Sequence, residues 1–85
     1  MYTKKDFANE LIDEVNKNFN IVRISRWAHE KYLDHGSNLD NETYAVMMKV
    51  IAMEEGEEFE LSKDELLELA KDLILNAWIF FDFDH

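Results

Sequence analysis

Leu61-Ser62-Lys63-Asp64-Glu65-Leu66-Leu67-Glu68-Leu69-Ala70 opens a helix by every local rule that governs a helix start. Ser62 followed by Glu65 makes a capping box, in which each side chain accepts from a backbone N–H that the first turn leaves unpaired. Leu61 just before the cap and Leu66 four residues after it are placed as a hydrophobic staple. Leu66, Leu69, Ala70, Leu73 and Ala77 then recur at helical spacing. The pattern predicts a helix from 63 to about 80 with one apolar and one charged face.

The same signals mark three more helices upstream. Thr3 is a cap for a first helix over about 4–18, with Tyr2 and Phe7 as its staple and Phe7, Ala8, Leu11, Ile12, Val15 and Phe19 at helical spacing. Asn16, Asn18 and Asn20 weaken helix beyond it, because asparagine bonds its own backbone in non-helical forms. Ile21, Ile24, Trp27, Ala28 and Tyr32 predict a second helix over about 21–35, which Gly36 is expected to stop in the left-handed conformation. Asp40 caps a third, about 41–55, on which Tyr44, Met47, Met48 and Ile51 recur at i, i+3, i+4 and i+7 before Gly56. No proline and two glycines, both at predicted helix ends, complete the pattern of an all-α fold: one domain over 1–85, a small bundle of four main helices.

The end of the chain, Trp78-Ile79-Phe80-Phe81-Asp82-Phe83-Asp84-His85, admits two readings. It continues the fourth helix, with Ile74, Ala77 and Phe81 on one stripe, or it leaves as an extended aromatic tail, since aromatics also favour strand geometry. The expectation is helix through about Phe80, then tail.

Composition limits what such a bundle does. A chain of 85 residues buries only somewhat more than roughly 60% of its unfolded surface, which leaves little room for both a core and a deep cleft. A hydrophobic fraction of 47% with eleven aromatics argues for a folded chain rather than a disordered one. The absence of cysteine removes disulfides, thiolate nucleophiles and zinc–thiolate sites, and makes the cytoplasm the expected compartment. The opening Met1-Tyr2-Thr3-Lys4-Lys5-Asp6-Phe7 lacks the apolar core of a signal peptide, and no apolar run approaches the roughly 20 residues of a membrane span.

The charge is the informative quantity. Residues 1–52 hold seven basic and eight acidic side chains, a net of −1, whereas residues 53–85 hold two basic and eleven acidic ones, a net of −9. A concentrated field of one sign works against compaction and steers a partner of the other sign. Glu54, Glu55, Glu57, Glu58 and Glu60 crowd the connection into the fourth helix, and Asp64, Glu68 and Asp72 then repeat every four residues along one ridge. Like charges at that spacing cost about 0.2–0.5 kcal/mol each. Part of the acidity has an ordinary explanation: Asp64 and Glu65 favour the helix N-terminal dipole, Lys71 stands to offset Glu68, and the rest is open to solvation. Five glutamates in seven residues serve no cap, however, and Phe59 among them has the character of an aromatic anchor inside a charged rim. Its alternative is to close the core with Leu61. Met47, Met48 and Met53 read as core filler.

Catalytic chemistry finds little support. His29 and His35 are six apart, which does not stack them as metal ligands on a helix, and His29 beside Glu30 is no acid–base pair without a pocket. Isolated glycines exclude a phosphate-cradling loop, and Glu54 to Glu60 lacks the ligand order of a calcium loop. Nucleic-acid binding is disfavoured because phosphate contacts need lysine and arginine. The expectation is no enzyme, no metal and no cofactor, with Glu54, Glu55, Glu57, Glu58, Phe59, Glu60, Asp64, Glu68 and Asp72 forming a partner-binding surface. Trp27 and Tyr44 are secondary anchors or core residues.

Arg26-Trp27-Ala28-His29-Glu30, the helix start from Asp40 to Tyr44, and Met53-Glu54-Glu55-Gly56-Glu57-Glu58-Phe59-Glu60-Leu61-Ser62 followed by Glu65-Leu66-Leu67 resemble the small immunity proteins encoded beside bacterial toxins. The nearest types are those of contact-dependent growth inhibition and of colicin-like tRNA-cleaving nucleases. The resemblance covers roughly residues 5–75 and leaves the aromatic tail outside. It implies a cytoplasmic, all-α, non-enzymatic protein that binds a basic toxin (nuclease) domain tightly, as a monomer on its toxin, and occludes its nucleic-acid-binding or active-site surface. Two other classes remain open: an acidic nucleic-acid mimic directed at a host DNA-binding protein, and a helical assembly module that associates through its aromatic C-terminus.

Overall fold

Each helix starts where a side chain satisfies the first free N–H groups. In the computed structural model, which describes residues 1–83 and side chains as far as Trp78, the helices are α1 (Lys4–Lys17), α2 (Ile21–His35), α3 (Asn41–Ile51) and α4 (Lys63–Phe83). Ser62 and Glu65 form the expected box: Glu65 N donates to Ser62 Oγ at 3.1 Å and Ser62 N to Glu65 Oε1 at 2.8 Å. Asp40 Oδ1 accepts from Thr43 N at 2.8 Å. Two caps exceed the sequence reading. Thr3 is half of a full box, because Asp6 Oδ2 accepts from Thr3 N, and Asn20, read as a helix breaker, caps α2 through Arg23 N at 3.0 Å. Ser62→Ala should lower stability by about 0.5–2 kcal/mol, seen as a lower urea midpoint at unchanged slope.

The helices run up, down, up and down. Glu14 meets Arg23 and Phe7 stacks on Trp27, so α1 and α2 are antiparallel. Ser25 reaches Ile51 and Tyr32 reaches Tyr44, so α2 and α3 are too. Lys4 bonds Glu42 at 2.6 Å and Lys5 lies over the Trp78 ring, which brings the start of α3 and the far part of α4 to the start of α1. Within this frame the apolar stripes meet in one core: Phe7, Ala8, Leu11 and Val15 from α1, Ile24 and Ala28 from α2, Val46, Met47 and Val50 from α3, and Leu66, Ala70 and Leu73 from α4. Each large side chain buried this way contributes about 1.5–3 kcal/mol. α1 packs most extensively against α4.

Several expectations need correction. Gly36 is right-handed, with φ −55° and ψ −31°, and passes into a 3-10 turn over Gly36–Asn38. Its lack of a side chain serves packing: a Cβ there would lie 2.7 Å from Cδ1 of Tyr32. The third helical stretch ends as expected before Gly56, but its last turn, Ala52–Glu55, tightens to 3-10 geometry. α4 does not stop at Phe80 but continues to Phe83. Nothing in that segment breaks a helix, because aromatics are only slightly poorer helix formers than the leucines before them. Ile74 and Ala77 are partly buried as their stripe required; the side chain of Phe81, and residues 84 and 85 altogether, lie outside the described residues. Tyr2 does not simply staple to Phe7: its ring stacks on His35 at 4.0 Å and its hydroxyl donates to Glu10.

Two polar side chains tie the helix ends. Arg23 donates to the carbonyls of Glu14 and Asn18, closing the C-terminus of α1, and to the Glu14 carboxylate at 2.5 Å. Buried Ser25 donates to the Ile51 carbonyl at 2.6 Å where α3 tightens. Burial raises the Asp40 pKa, but hydrogen bonds from Thr43 and Lys4 outweigh it and the carboxyl is held below its ordinary 3.8. A lowered folded pKa stabilises above the unfolded value and loses that stabilisation as pH falls through the folded one. Asp40→Asn keeps a good cap and loses the charge. Urea titrations should therefore show it less stable than the parent at neutral pH, with the difference closing below pH 3.8.

Candidate functional site

The acidic segment between α3 and α4 is an arch pinned at both feet. Met53 is buried at one foot and Leu61 packs against the core at the other. Between them Gly56 is extended, and a second 3-10 turn over Glu57–Phe59 closes through Phe59 N to Gly56 O at 3.0 Å and Glu60 N to Glu57 O at 3.1 Å. Fixing the feet inward turns the span outward: Glu54, Glu55, Glu57, Glu58, Phe59 and Glu60 are all exposed. Phe59 shows 49% of its surface and Leu61 alone closes the corner. The two roles weighed for Phe59 are thus divided between neighbours.

α4 continues the acidic array. Leu66, Ala70 and Leu73 point to the core while Asp64, Glu68 and Asp72 are exposed. At about 1.5 Å per residue the three span about 12 Å. All nine expected partner-binding residues therefore lie on the outer surface, on consecutive elements.

The electrostatics separate this surface from the rest of the protein. Lys4 pairs with Asp40 and Glu42, Lys17 and Arg23 with Glu14, and Lys31 with Glu10. Basic side chains outside the arch and α4 are thus largely engaged with acids of their own region. Among the described residues, one ion pair reaches the nine: Arg26 to Glu54 at 3.6 Å, both exposed enough for it to contribute little. Among those same residues Lys71 makes no ion pair with Glu68, so the expected offset is not a direct contact. No family model, curated protein or solved structure matches this chain.

The remaining features are more structural. Trp27 is half-buried and stacks on Phe7 with ring centroids 5.5 Å apart, which gives it to the core. Tyr44 is partly exposed, edge-on to Tyr32 at 6.1 Å. His29 is exposed beside Tyr32. A groove between α1 and α2 is lined by Glu10, Asp13, Glu14, Lys17, Trp27 and Lys31, and most of its charges pair within it. Among the described residues no three histidine or carboxylate side chains come together to hold a metal ion, and no helix is long and apolar enough to cross a membrane.

Leu75 was not singled out in the sequence, yet it is 56% exposed. The signal was present: it stands seven residues beyond Glu68 and eleven beyond Asp64, on the face opposite the buried stripe. Trp78 is exposed to a similar extent, with the Lys5 ammonium 5.1 Å from its ring centroid. Phe81 and Phe83 of the same aromatic segment have side chains outside the described residues.

Proposed function

We propose that this protein is an immunity protein that binds and neutralises a basic bacterial toxin domain, a nuclease, by covering its nucleic-acid-binding or active-site surface. The observation that carries the reading is an outward-facing array of eight carboxylates around an exposed phenylalanine, with one weak internal ion pair among the described residues. A nuclease is basic where it holds phosphates, so a surface of fixed carboxylates competes for the same ground. The inhibitor itself needs no catalytic group or cofactor, and acts in the cytoplasm as a monomer on its toxin. Complementary fields govern encounter, while desolvated anchors such as Phe59 govern retention.

The test is kinetic. With the toxin domain encoded beside it, association should approach roughly 10⁸ M⁻¹s⁻¹ at low salt and fall steeply as salt rises, with little change in dissociation. Screening acts over a Debye length of about 8 Å at physiological ionic strength. An association rate that stays flat across the salt series removes electrostatic steering, and failure to bind the toxin removes the proposal.

A further inference from the structure

The outer face of α4 holds a lysine among its acids, and the order of charges along that face is informative. Lys71, Leu75, Trp78 and Asp82 stand at i, i+4, i+7 and i+11, one stripe of a helix that runs unbroken to Phe83. Leu66, Ala70 and Leu73, on the opposite side, are buried, whereas Leu75 and Trp78 leave more than half of their surface to water. Lys71 is exposed, and among the described residues it makes no ion pair, although Glu68 stands one turn before it. This part of the helix is held in place: Lys5 of α1 sits over the Trp78 ring and Asn76 donates to Glu42 of α3. The stripe thus runs cation, apolar, apolar, anion, and reversed it becomes its own complement.

We propose that this stripe pairs with a second copy of the chain, α4 against α4 and antiparallel, about a two-fold axis between positions 75 and 78. Two-fold symmetry makes every contact occur twice. Leu75 of each copy meets Trp78 of the other, and Lys71 of each comes level with Asp82 of the other. A parallel pair would set Lys71 on Lys71 and Asp82 on Asp82, so the charges select the antiparallel one. The same reversal sends the acidic halves of the two helices in opposite directions. Glu68 lies eight and a half residue steps from the axis, which puts the two copies of it about 26 Å apart along the helix. That is about three Debye lengths at physiological ionic strength, so the net charge of −10 per chain does not forbid the contact. The paired segment, residues 71–82, is about 17 Å long, too short for the roughly 800 Å² per partner of a standard interface. The dimer is therefore weak and reversible. It belongs to the free protein and uses neither the arch nor a toxin, so it stands or falls apart from the function proposed above.

The experiment is sedimentation equilibrium of the full-length protein from micromolar to low-millimolar concentration. The expected result is a reversible monomer–dimer equilibrium with a Kd of roughly 10–100 μM, the strength of a contact below standard size. Leu75→Gln preserves helix propensity and should raise the Kd at least about tenfold, with unchanged circular dichroism. Lys71→Asp and Asp82→Lys each bring like charges together and should each raise it about tenfold. The double variant restores opposite charges in the antiparallel register alone and should return to within about threefold of the parent. Lys63→Asp makes the same change in net charge as Lys71→Asp, but off the stripe, and should leave the Kd within about twofold. A protein that stays monomeric throughout overturns the proposal, as does a dimer indifferent to Leu75→Gln. A double variant no tighter than the single ones overturns the antiparallel pairing. Equal effects of Lys63→Asp and Lys71→Asp overturn the pairing of Lys71 with Asp82.

Discussion

If the protein is the proposed immunity protein, reversing Glu57, Glu58 and Glu60 to lysine should abolish protection of cells against its toxin and leave the bundle folded. Three reversals move the net charge from −10 to −4 and concentrate the change on the arch. Like charges brought together at an interface cost several kcal/mol, and loss of steering slows association by about 10–10³-fold. The fold should survive because the feet of the arch are Met53 and Leu61, while these three side chains are exposed and none pairs with a cation among the described residues. Circular dichroism reports the helices and toxin challenge reports protection. His29→Gln is the matched control and should protect fully. A lysine variant that also protects fully would make the arch ordinary solvated surface.

Phe7→Ala should bring the domain to the edge of unfolding. Phe7 is fully buried in the core and stacks on Trp27. Truncating a buried phenylalanine costs about 3–5 kcal/mol through lost transfer energy and a residual cavity. A domain of this size has a total stability of roughly 4–13 kcal/mol, so one side chain removes a large share. A urea titration followed by tryptophan fluorescence should show the midpoint collapsing. Phe19, which is 39% exposed just past the end of α1, is the contrast. Its replacement by alanine should stay within about 0.5 kcal/mol. A small effect at Phe7 would mean that the stack on Trp27 rearranges to fill the space.

The helices were legible because their starts depend on side chains within three residues of the cap. Thr3, Asp40 and Ser62 are such residues, and the structure places all three at helix starts. Stops proved harder to read. The end of α2 at His35 was read from Gly36, but the reason was not: the glycine is right-handed there and its missing side chain makes room for the Tyr32 ring. Arg23 and Ser25 escaped notice for a related reason: their partners are carbonyls 5 to 26 positions away, and a carbonyl has no letter in a sequence. The acidic surface was visible as composition, and the spacing of Asp64, Glu68 and Asp72 put them on one ridge. What the sequence could not divide was Phe59 from Leu61, because two apolar residues beside a cap look alike until the chain turns one inward.

The pairing of α1 with α4 joins distant parts of the chain, and this orders the way the protein comes together. Lys5 and Trp78 are 73 positions apart, against 26 for Ser25 and Ile51 at the α2–α3 seam. Closing the longer loop costs about 0.9 kcal/mol more. By loop closure the α1–α2 and α2–α3 contacts form before the α1–α4 pairing, so the face that α1 turns to α4 is the last to be covered. While the chain is emerging from the ribosome, Phe7, Leu11 and Val15 have no α4 to cover them until most of the sequence has been made. For that interval the nascent chain carries an apolar helix face open to water. Docking of α4 ends the exposure, and the same event brings its carboxylates into their final array.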